Sequence, residues 1–160
     1  MQAQELEACY HNYKHLLFRI AFTHVKNQAD AEDILQEVFT RRLCTKQQFA
    51  DDEHEKRWLI RVTVNLAKDQ LKSFWRRNRD SMESVPEGIL TALDPGGRQL
   101  LQAVLDLPDA CKAPIYLHYY EGYSCREIGE MLGCRESAVK MRLKKGRELL
   151  KLDLTEEDDT

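Results

Sequence analysis

Apolar residues recur at three- and four-residue steps along most of the chain, and this spacing constrains the fold more than any other feature. The first series is Leu6, Tyr10, Tyr13, Leu17 and Ile20, which gives a helix one apolar face. With only 7 glycines and 4 prolines in 160 residues, the chain lacks the turn residues of a β-sandwich. The sequence therefore predicts an all-α protein.

Two further helices are predicted in the first half of the chain. One presents Ile34 and Val38 on its apolar face and has Asp30 as its expected N-terminal cap. The segment 58–64 alternates like a strand, but its apolar spacing continues to Trp75. That length is too great for a strand and favours a helix.

The apolar periodicity is lost where prolines and glycines accumulate, just before the last third of the chain. This change predicts two small helical domains, 1–79 and 99–154, joined by a flexible acidic linker at 80–98. An acidic tail at 155–160 follows. In the second domain, Pro114 either begins a helix or kinks one.

The formal charge of −3 is distributed unevenly. Residues 56–79 carry +7 and residues 135–151 carry +5, whereas residues 80–110 carry −5. Because salt limits the reach of a charge to about 8–10 Å, each basic block sets the potential in its own neighbourhood. The mild acidity of the whole chain therefore does not exclude a nucleic-acid-binding protein.

Several features bear on compartment and chemistry. No stretch approaches the ~20 apolar residues that span a bilayer, and the N-terminus does not resemble a signal peptide. Five cysteines without a CxxC spacing are typical of reduced thiols, so a cytoplasmic protein without membrane insertion is expected. Cys9, His11 and His15 could approach a metal but lack a distant fourth ligand. No metal, cofactor or enzymatic activity is predicted.

The segment 124–150 has the pattern of a helix-turn-helix. Ser124 and Glu127 match a capping box at the start of one helix, and Gly133 suits a left-handed stop. A basic helix follows, and its apolar residues are expected to face the core: Val139, Leu143, Leu149 and Leu150. In a helix-turn-helix the second helix enters the major groove with its N-terminus leading.

The polar residues of that second helix divide into two predicted groups. Those at the leading end could contact base edges: Arg135, Glu136, Ser137 and Lys140. Those further along could neutralise phosphates: Arg142, Lys144, Lys145 and Arg147. The alternative is a solvated amphipathic surface helix, but the capping box and the glycine turn upstream favour DNA binding.

The same segment resembles region four of bacterial RNA polymerase sigma factors. The family pattern is matched by Leu107-Pro108, by Tyr120-Glu121-Gly122, by Ser124, by Leu132-Gly133 and by the sequence VKMRL at 139–143. The likeness implies recognition of the minus-thirty-five promoter element by this helix-turn-helix. Two residues depart from the usual pattern: Met141 replaces a small polar residue, and Gly146 is expected to weaken the helix by about 1 kcal/mol relative to alanine.

The first half resembles region two of the same family. The sequence AEDILQEVF at 31–39 is similar to a helix that docks on the polymerase clamp. The likeness implies polymerase-binding roles for Asp33, Gln36, Glu37 and Arg41.

The sequence WLIRVTVNLAKD at 58–69 is similar to the helix that faces the minus-ten element. The likeness implies contacts to that DNA by Asn65, Lys72, Trp75, Arg76 and Arg77. Trp58 is favoured as a core residue, whereas Trp75 fits either role. The polar loop at 45–55 is the implied place for a flipped base, although it is unusually acidic for a DNA contact.

The order of region two, linker and region four is similar to the extracytoplasmic-function group of the sigma-70 family. The resemblance implies that the chain binds core RNA polymerase, through the clamp and flap of the beta-type subunits, and promoter DNA. It also implies an anti-sigma partner. A stand-alone helix-turn-helix regulator and a protein-interaction adaptor are the alternatives.

Overall fold

A computed structural model describes residues 2–77 and 83–150, and the side chains of 71–77 lie outside the described part. Within these residues the chain forms eight α-helices and no strand, so the all-α prediction is confirmed. The chain divides into two compact units between Ser84 and Val85. No described helix is both long and apolar enough to span a membrane.

The first unit is built on three helices that pack against one another: α1 (Ala3–Val25), α2 (Gln28–Cys44) and α3 (Asp52–Arg77). Each contributes side chains to one core, including Leu17 and Ile20 from α1, Ile34 from α2, and Leu59 and Ile60 from α3, all at most 2 % exposed. The ambiguous segment 58–64 is therefore helical.

The turn between α1 and α2 differs in one detail from the sequence-based expectation. Lys26 takes a left-handed conformation with φ of 52° and ends α1. Asn27, rather than Asp30, caps α2, because the Asn27 side chain accepts a hydrogen bond of 3.0 Å from the Asp30 backbone N–H. Asp30 is instead in the first turn of α2, where its negative charge interacts favourably with the positive end of the helix dipole.

The second unit contains five helices: α4 (Glu87–Thr91), α5 (Pro95–Val104), α6 (Asp109–Tyr119), α7 (Cys125–Leu132) and α8 (Glu136–Leu149). Helix α6 packs against α5, α7 and α8. It begins five residues before Pro114 and continues through that proline, so Pro114 does not start the helix.

The described part of the predicted linker 80–98 begins at residue 83. It includes α4 and the first turn of α5, which is capped by the Asp94 carboxylate at 2.7 Å from the Gly97 N–H. Val85 and Leu93 are buried. A helix as short as α4 leaves too little apolar periodicity in the sequence to reveal it.

Candidate nucleic-acid interface

The helix-turn-helix in the second unit has the local geometry that its sequence predicts. The Ser124 hydroxyl accepts from the Glu127 N–H at 3.1 Å, and Glu127 Oε1 accepts from the Ser124 N–H at 2.9 Å. Gly133 ends α7 with φ of 73°, a conformation that costs other residues free energy because of their Cβ. The capping box and the glycine stop therefore fix where α7 begins and ends.

Helix α8 has a buried stripe and an outward stripe. Val139 and Leu143 are fully buried, and Gly146 and Leu150 continue the same face. Leu149, predicted to face the core, is instead 53 % exposed, because the buried stripe follows the spacing 139, 143, 146 and 150.

Gly146 permits α8 to approach α6 closely. A Cβ at this position would lie 2.6 Å from Ile115 Cγ1 and 2.7 Å from Ile115 Cδ1. The glycine that sequence reasoning identified only as a weak point of the helix is therefore a packing residue.

Most of the predicted minus-thirty-five residues are exposed on or next to α8. The exposed members are Arg135, Glu136, Ser137, Lys140, Lys144 and Lys145. Lys140 Nζ lies 3.6 Å from the Glu136 carboxylate, a solvent-exposed pair that contributes little to stability and leaves both groups accessible.

Two predicted phosphate contacts are less exposed than the rest. Arg142 donates from Nη1 to the sulfur of Cys134 at 3.4 Å, and Arg147 donates to the Tyr119 hydroxyl at 3.4 Å. Both arginines are half-buried. These contacts hold the two guanidinium groups against the unit, whereas Lys144 and Lys145 extend into solvent.

Helix α2 places the predicted polymerase-binding residues on its solvent face. Asp33, Gln36, Glu37 and Arg41 are all exposed. Arg41 Nε lies 3.0 Å from Glu37 Oε1, with both side chains about half exposed. The side of α2 that faces the core carries the apolar residues, as its spacing predicts.

A groove that the sequence did not reveal lies beside this polar face. It encloses about 540 Å³ and is lined by residues of α1 and α2: Leu6, Tyr10, Glu32, Leu35, Gln36, Phe39, Thr40 and Leu43. Tyr10 is 40 % exposed and Leu43 is 44 % exposed. Both residues fit the apolar periodicity of their helices, which predicts burial. The sequence alone therefore did not indicate that they are partly exposed.

The loop before α3 is held by an aromatic and ionic cluster. The Arg42 guanidinium lies over the Phe49 ring at 4.6 Å, and Arg42 Nη2 contacts Glu55 Oε2 at 2.7 Å. Phe49 also meets His54 and Trp58 edge-on, at 5.1 and 5.6 Å between ring centres. Trp58 is half-buried and packs against the loop through Phe49.

This loop borders a polar cavity of about 610 Å³. Its lining residues are Glu5, Arg42, Thr45, Lys46, Gln47, Gln48, Phe49, Asp51, Asp52 and Glu55. The cavity includes the loop segment 45–55, for which the family resemblance implies a flipped base. Its lining carries more carboxylates (Glu5, Asp51, Asp52 and Glu55) than basic groups (Arg42 and Lys46), so the cavity is acidic.

On α3, Asn65 is exposed as expected. The predicted partners Lys72, Trp75, Arg76 and Arg77 belong to the helix, but their side chains lie outside the described residues. Arg61 and Lys68, which were not singled out from the sequence, lie four residues before and three residues after Asn65. That spacing puts them on the same helix face, and it could have identified them.

The pKa of the buried Cys9 thiol is shifted strongly. Burial, and then the Glu55 carboxylate, raise its pKa to about 12, while Arg42 acts in the opposite direction. Cys9 is buried whereas His11 and His15 are exposed. The described residues contain no group of three His, Cys, Asp or Glu side chains placed to hold a metal.

Comparison with known families identifies both units. The family model for Sigma-70 region 2 matches residues 9–77, and the model for Sigma-70, region 4 matches residues 97–150. The chain is 37% identical over 147 residues to the ECF RNA polymerase sigma factor SigE of Mycolicibacterium smegmatis, covering 84% of the chain and 56% of that relative. It is 30% identical over 159 residues to the RNA polymerase sigma factor SigV of Bacillus subtilis, covering 96% of the chain and 93% of SigV.

A solved structure shares the fold. The sigma factor RpoE, in complex with the anti-sigma factor NepR from Bartonella quintana, aligns with a TM-score of 0.67 at 23% identity. The alignment covers 94% of this chain and 97% of that one. That structure supports the fold. The two family models, the match to nearly the full length of SigV and 30% identity over 92% of the ECF RNA polymerase sigma factor SigL of Mycobacterium tuberculosis show that the chain belongs to the sigma-70 family, in the extracytoplasmic-function group of RNA polymerase sigma factors.

Proposed function

We propose that the chain is a promoter-recognition subunit that binds core RNA polymerase and directs it to a specific set of promoters in the cytoplasm. The observation that carries this proposal is the helix-turn-helix of α7 and α8, whose second helix presents an exposed polar leading end. Its membership of the sigma-70 family supports coupling of this DNA reader to polymerase. RNA synthesis itself belongs to the polymerase, and we assign no catalytic step to the chain.

The second unit is assigned to the minus-thirty-five element. Arg135 and Ser137, at the start of α8, are exposed and carry groups that can bond base edges. Lys144 and Lys145 are exposed further along the helix and supply contacts to phosphates. Arg142 and Arg147 contribute positive charge from positions held by Cys134 and Tyr119.

The first unit is assigned to the polymerase and to the minus-ten element. The exposed Asp33, Gln36, Glu37 and Arg41 of α2 form the surface for the clamp of a beta-type subunit. Asn65 faces the DNA, with Lys72, Trp75, Arg76 and Arg77 following along α3. Holding bases out of the stack requires polar pockets and a basic track. The polar lining of the loop cavity supports the first role, and the basic residues in the α3 sequence support the second.

Two further partners belong to this proposal. The second unit also contacts the flap of a beta-type subunit, which holds it near the upstream element. An anti-sigma factor restrains the free chain, by analogy with the NepR complex of the RpoE relative.

Reconstitution with core polymerase tests the proposal. The full chain, mixed with core enzyme and a genomic promoter library, is expected to yield transcripts from a restricted set of start sites. Core enzyme alone provides the baseline. Tight duplex binding by the isolated chain, without polymerase association or new start sites, would instead identify a stand-alone helix-turn-helix regulator.

A matched pair of variants locates the activity. Asp33→Ala changes an exposed residue of the proposed clamp surface, whereas Glu130→Ala changes an exposed residue of α7 that pairs with Arg126 on the protein surface. Only the first is expected to weaken association with core enzyme. Equal loss in both would contradict the assignment of α2.

A further inference from the structure

Met141 is the most exposed large hydrophobic residue in the described part of the chain. Its side chain is 74 % exposed, against 53 % for Leu149 and 44 % for Leu43. A methionine so placed forgoes burial of its thioether and methyl groups in the protein. Isolated exposed hydrophobic residues are common. Exposure alone therefore does not indicate a role for Met141, and its position on α8 must be considered.

The geometry of α8 directs Met141 away from the protein. At about 100° per residue, Met141 lies about 200° around the helix from Val139, which is fully buried in the core. Ser137 is four residues before it and Lys144 three residues after it, and both are exposed. Met141 is therefore at the centre of the outward stripe, between a group that can bond a base and one that can bond a phosphate.

We propose that Met141 is a specificity-determining residue that recognises the C5-methyl group of a thymine in the major groove. This inference rests on the proposed function and adds a base preference to it. The thymine methyl is the one apolar group that a base pair presents in the major groove, and apolar side chains read it by contact. Lys144, one turn further, is placed to hold the adjacent phosphate so that the flexible methionine reaches the groove floor.

A base analogue isolates the methyl contact. Each thymine of the minus-thirty-five element, in a promoter selected by the wild-type holoenzyme, is replaced singly by deoxyuridine, which removes only the methyl group. The affinity of the holoenzyme for each duplex is then measured. At one or two positions the wild type is expected to lose about fourfold in affinity, the effect of one buried methyl-sized group.

The variants then assign that loss to Met141. Met141→Ala is expected to lose a similar factor on the thymine promoter and to show no additional loss with deoxyuridine at the same position. Met141→Leu keeps an apolar side chain and is expected to retain the deoxyuridine effect. Leu149→Ala is the matched control, since it truncates another exposed hydrophobic residue of α8, and it should retain the full effect.

Three outcomes overturn the proposal. The first is a wild-type holoenzyme that is indifferent to deoxyuridine at every thymine, and the second is a Met141→Ala holoenzyme that still loses affinity at every sensitive position. The third is a Met141→Ala chain that binds core polymerase more weakly while its promoter preference is unchanged, which would assign Met141 to a protein contact. Failure of the proposed function is seen separately and earlier, because no promoter is then selected by the wild type.

Discussion

Gly146 is where the backbone of α8 comes close to the Ile115 side chain of α6, and a single methyl group is too large for that contact. Helix propensity alone favours alanine over glycine by about 1 kcal/mol. Overpacking a tight contact typically costs 1–3 kcal/mol. We therefore expect Gly146→Ala to lower the free energy of unfolding by up to about 2 kcal/mol, measured by chemical denaturation.

Another glycine provides the control for this prediction. Gly96 is also helical, in α5, but a Cβ there would meet no atom within 4 Å. Gly96→Ala should be neutral or stabilising. Ile115→Val, which removes the Cδ1 atom, should relieve part of the Gly146→Ala penalty. Stabilisation by Gly146→Ala would show that the contact relaxes without cost.

Cys9 makes the first unit sensitive to alkaline pH. Its pKa is about 12 in the folded chain, mainly through burial, against 9.0 for an ordinary thiol. Because the folded state favours the protonated thiol, its contribution to stability is complete below pH 9 and is lost as pH rises towards 12. The expected loss is about 1.4 kcal/mol per pH unit within that window, measured as the pH slope of the unfolding free energy.

The test compares slopes rather than stabilities, since Cys9→Ala also removes buried side-chain volume. Burial raises the pKa of Cys111 as well, and it raises that of Tyr13, so both add to the alkaline slope of the wild type. Cys9→Ala should therefore make the slope shallower than that of the wild type. An unchanged slope in Cys9→Ala would contradict the assignment.

At the scale of single elements, the loop between α2 and α3 depends on Arg42. This side chain joins the Phe49 ring to the Glu55 carboxylate, and in the Arg42–Glu55 pair both side chains are at most 15% exposed. Removing one member of a largely buried pair leaves the other carrying an unpaired charge. Arg42→Ala should destabilise the chain by about 1–3 kcal/mol and speed amide exchange in residues 45–51.

Arg41 is the matched control for the loop prediction. It forms an ion pair with Glu37, but both side chains are about half exposed. Surface pairs of this kind contribute about 0–1 kcal/mol, so Arg41→Ala should change stability and loop exchange little. Equal changes in stability and in loop amide exchange for the two variants would show that the Arg42 contacts do not stabilise the loop.

In the proposed function, the outward face of α8 carries separate residues for DNA affinity and for sequence preference. Lys144→Ala should weaken promoter binding to a similar degree on all sequences and lower the salt slope by about one. Ser137→Ala should instead change the preferred sequence while leaving the salt slope nearly constant. Competition assays over a promoter library measure both the affinity and the sequence preference. Loss of sequence preference in Lys144→Ala would contradict the assignment of Lys144 to phosphate contacts.

The sequence predicted strongly patterned elements best. Ser124, Glu127 and Gly133 mark both ends of α7 by local chemistry, and the structure confirms those ends. The sequence was less informative about features that depend on tertiary packing. The close approach at Gly146 and the exposure of Leu149 depend on which residues of α6 lie beneath α8, and helical periodicity does not contain that information.

At the scale of the whole molecule, the two units each have a core and are joined at Ser84 and Val85. In the proposed function, recognition of two promoter elements depends on the covalent connection, because the connection raises the effective concentration of the second unit once the first has bound. Cleavage at a protease site inserted at this junction should therefore abolish promoter-specific transcription while helical content is retained. Protease-treated wild type without the site is the control, and full activity after cleavage would show that the connection is dispensable.

The separation of the two stripes on α8 has an evolutionary consequence. Val139, Leu143 and Gly146 maintain the scaffold, while Ser137 and Met141 are free of the core. Substitutions on the outward stripe can therefore accumulate after gene duplication without unfolding the protein. Paralogues could diverge to separate sets of promoters through a few surface changes, and their regulatory networks would become insulated from one another while the shared architecture persists.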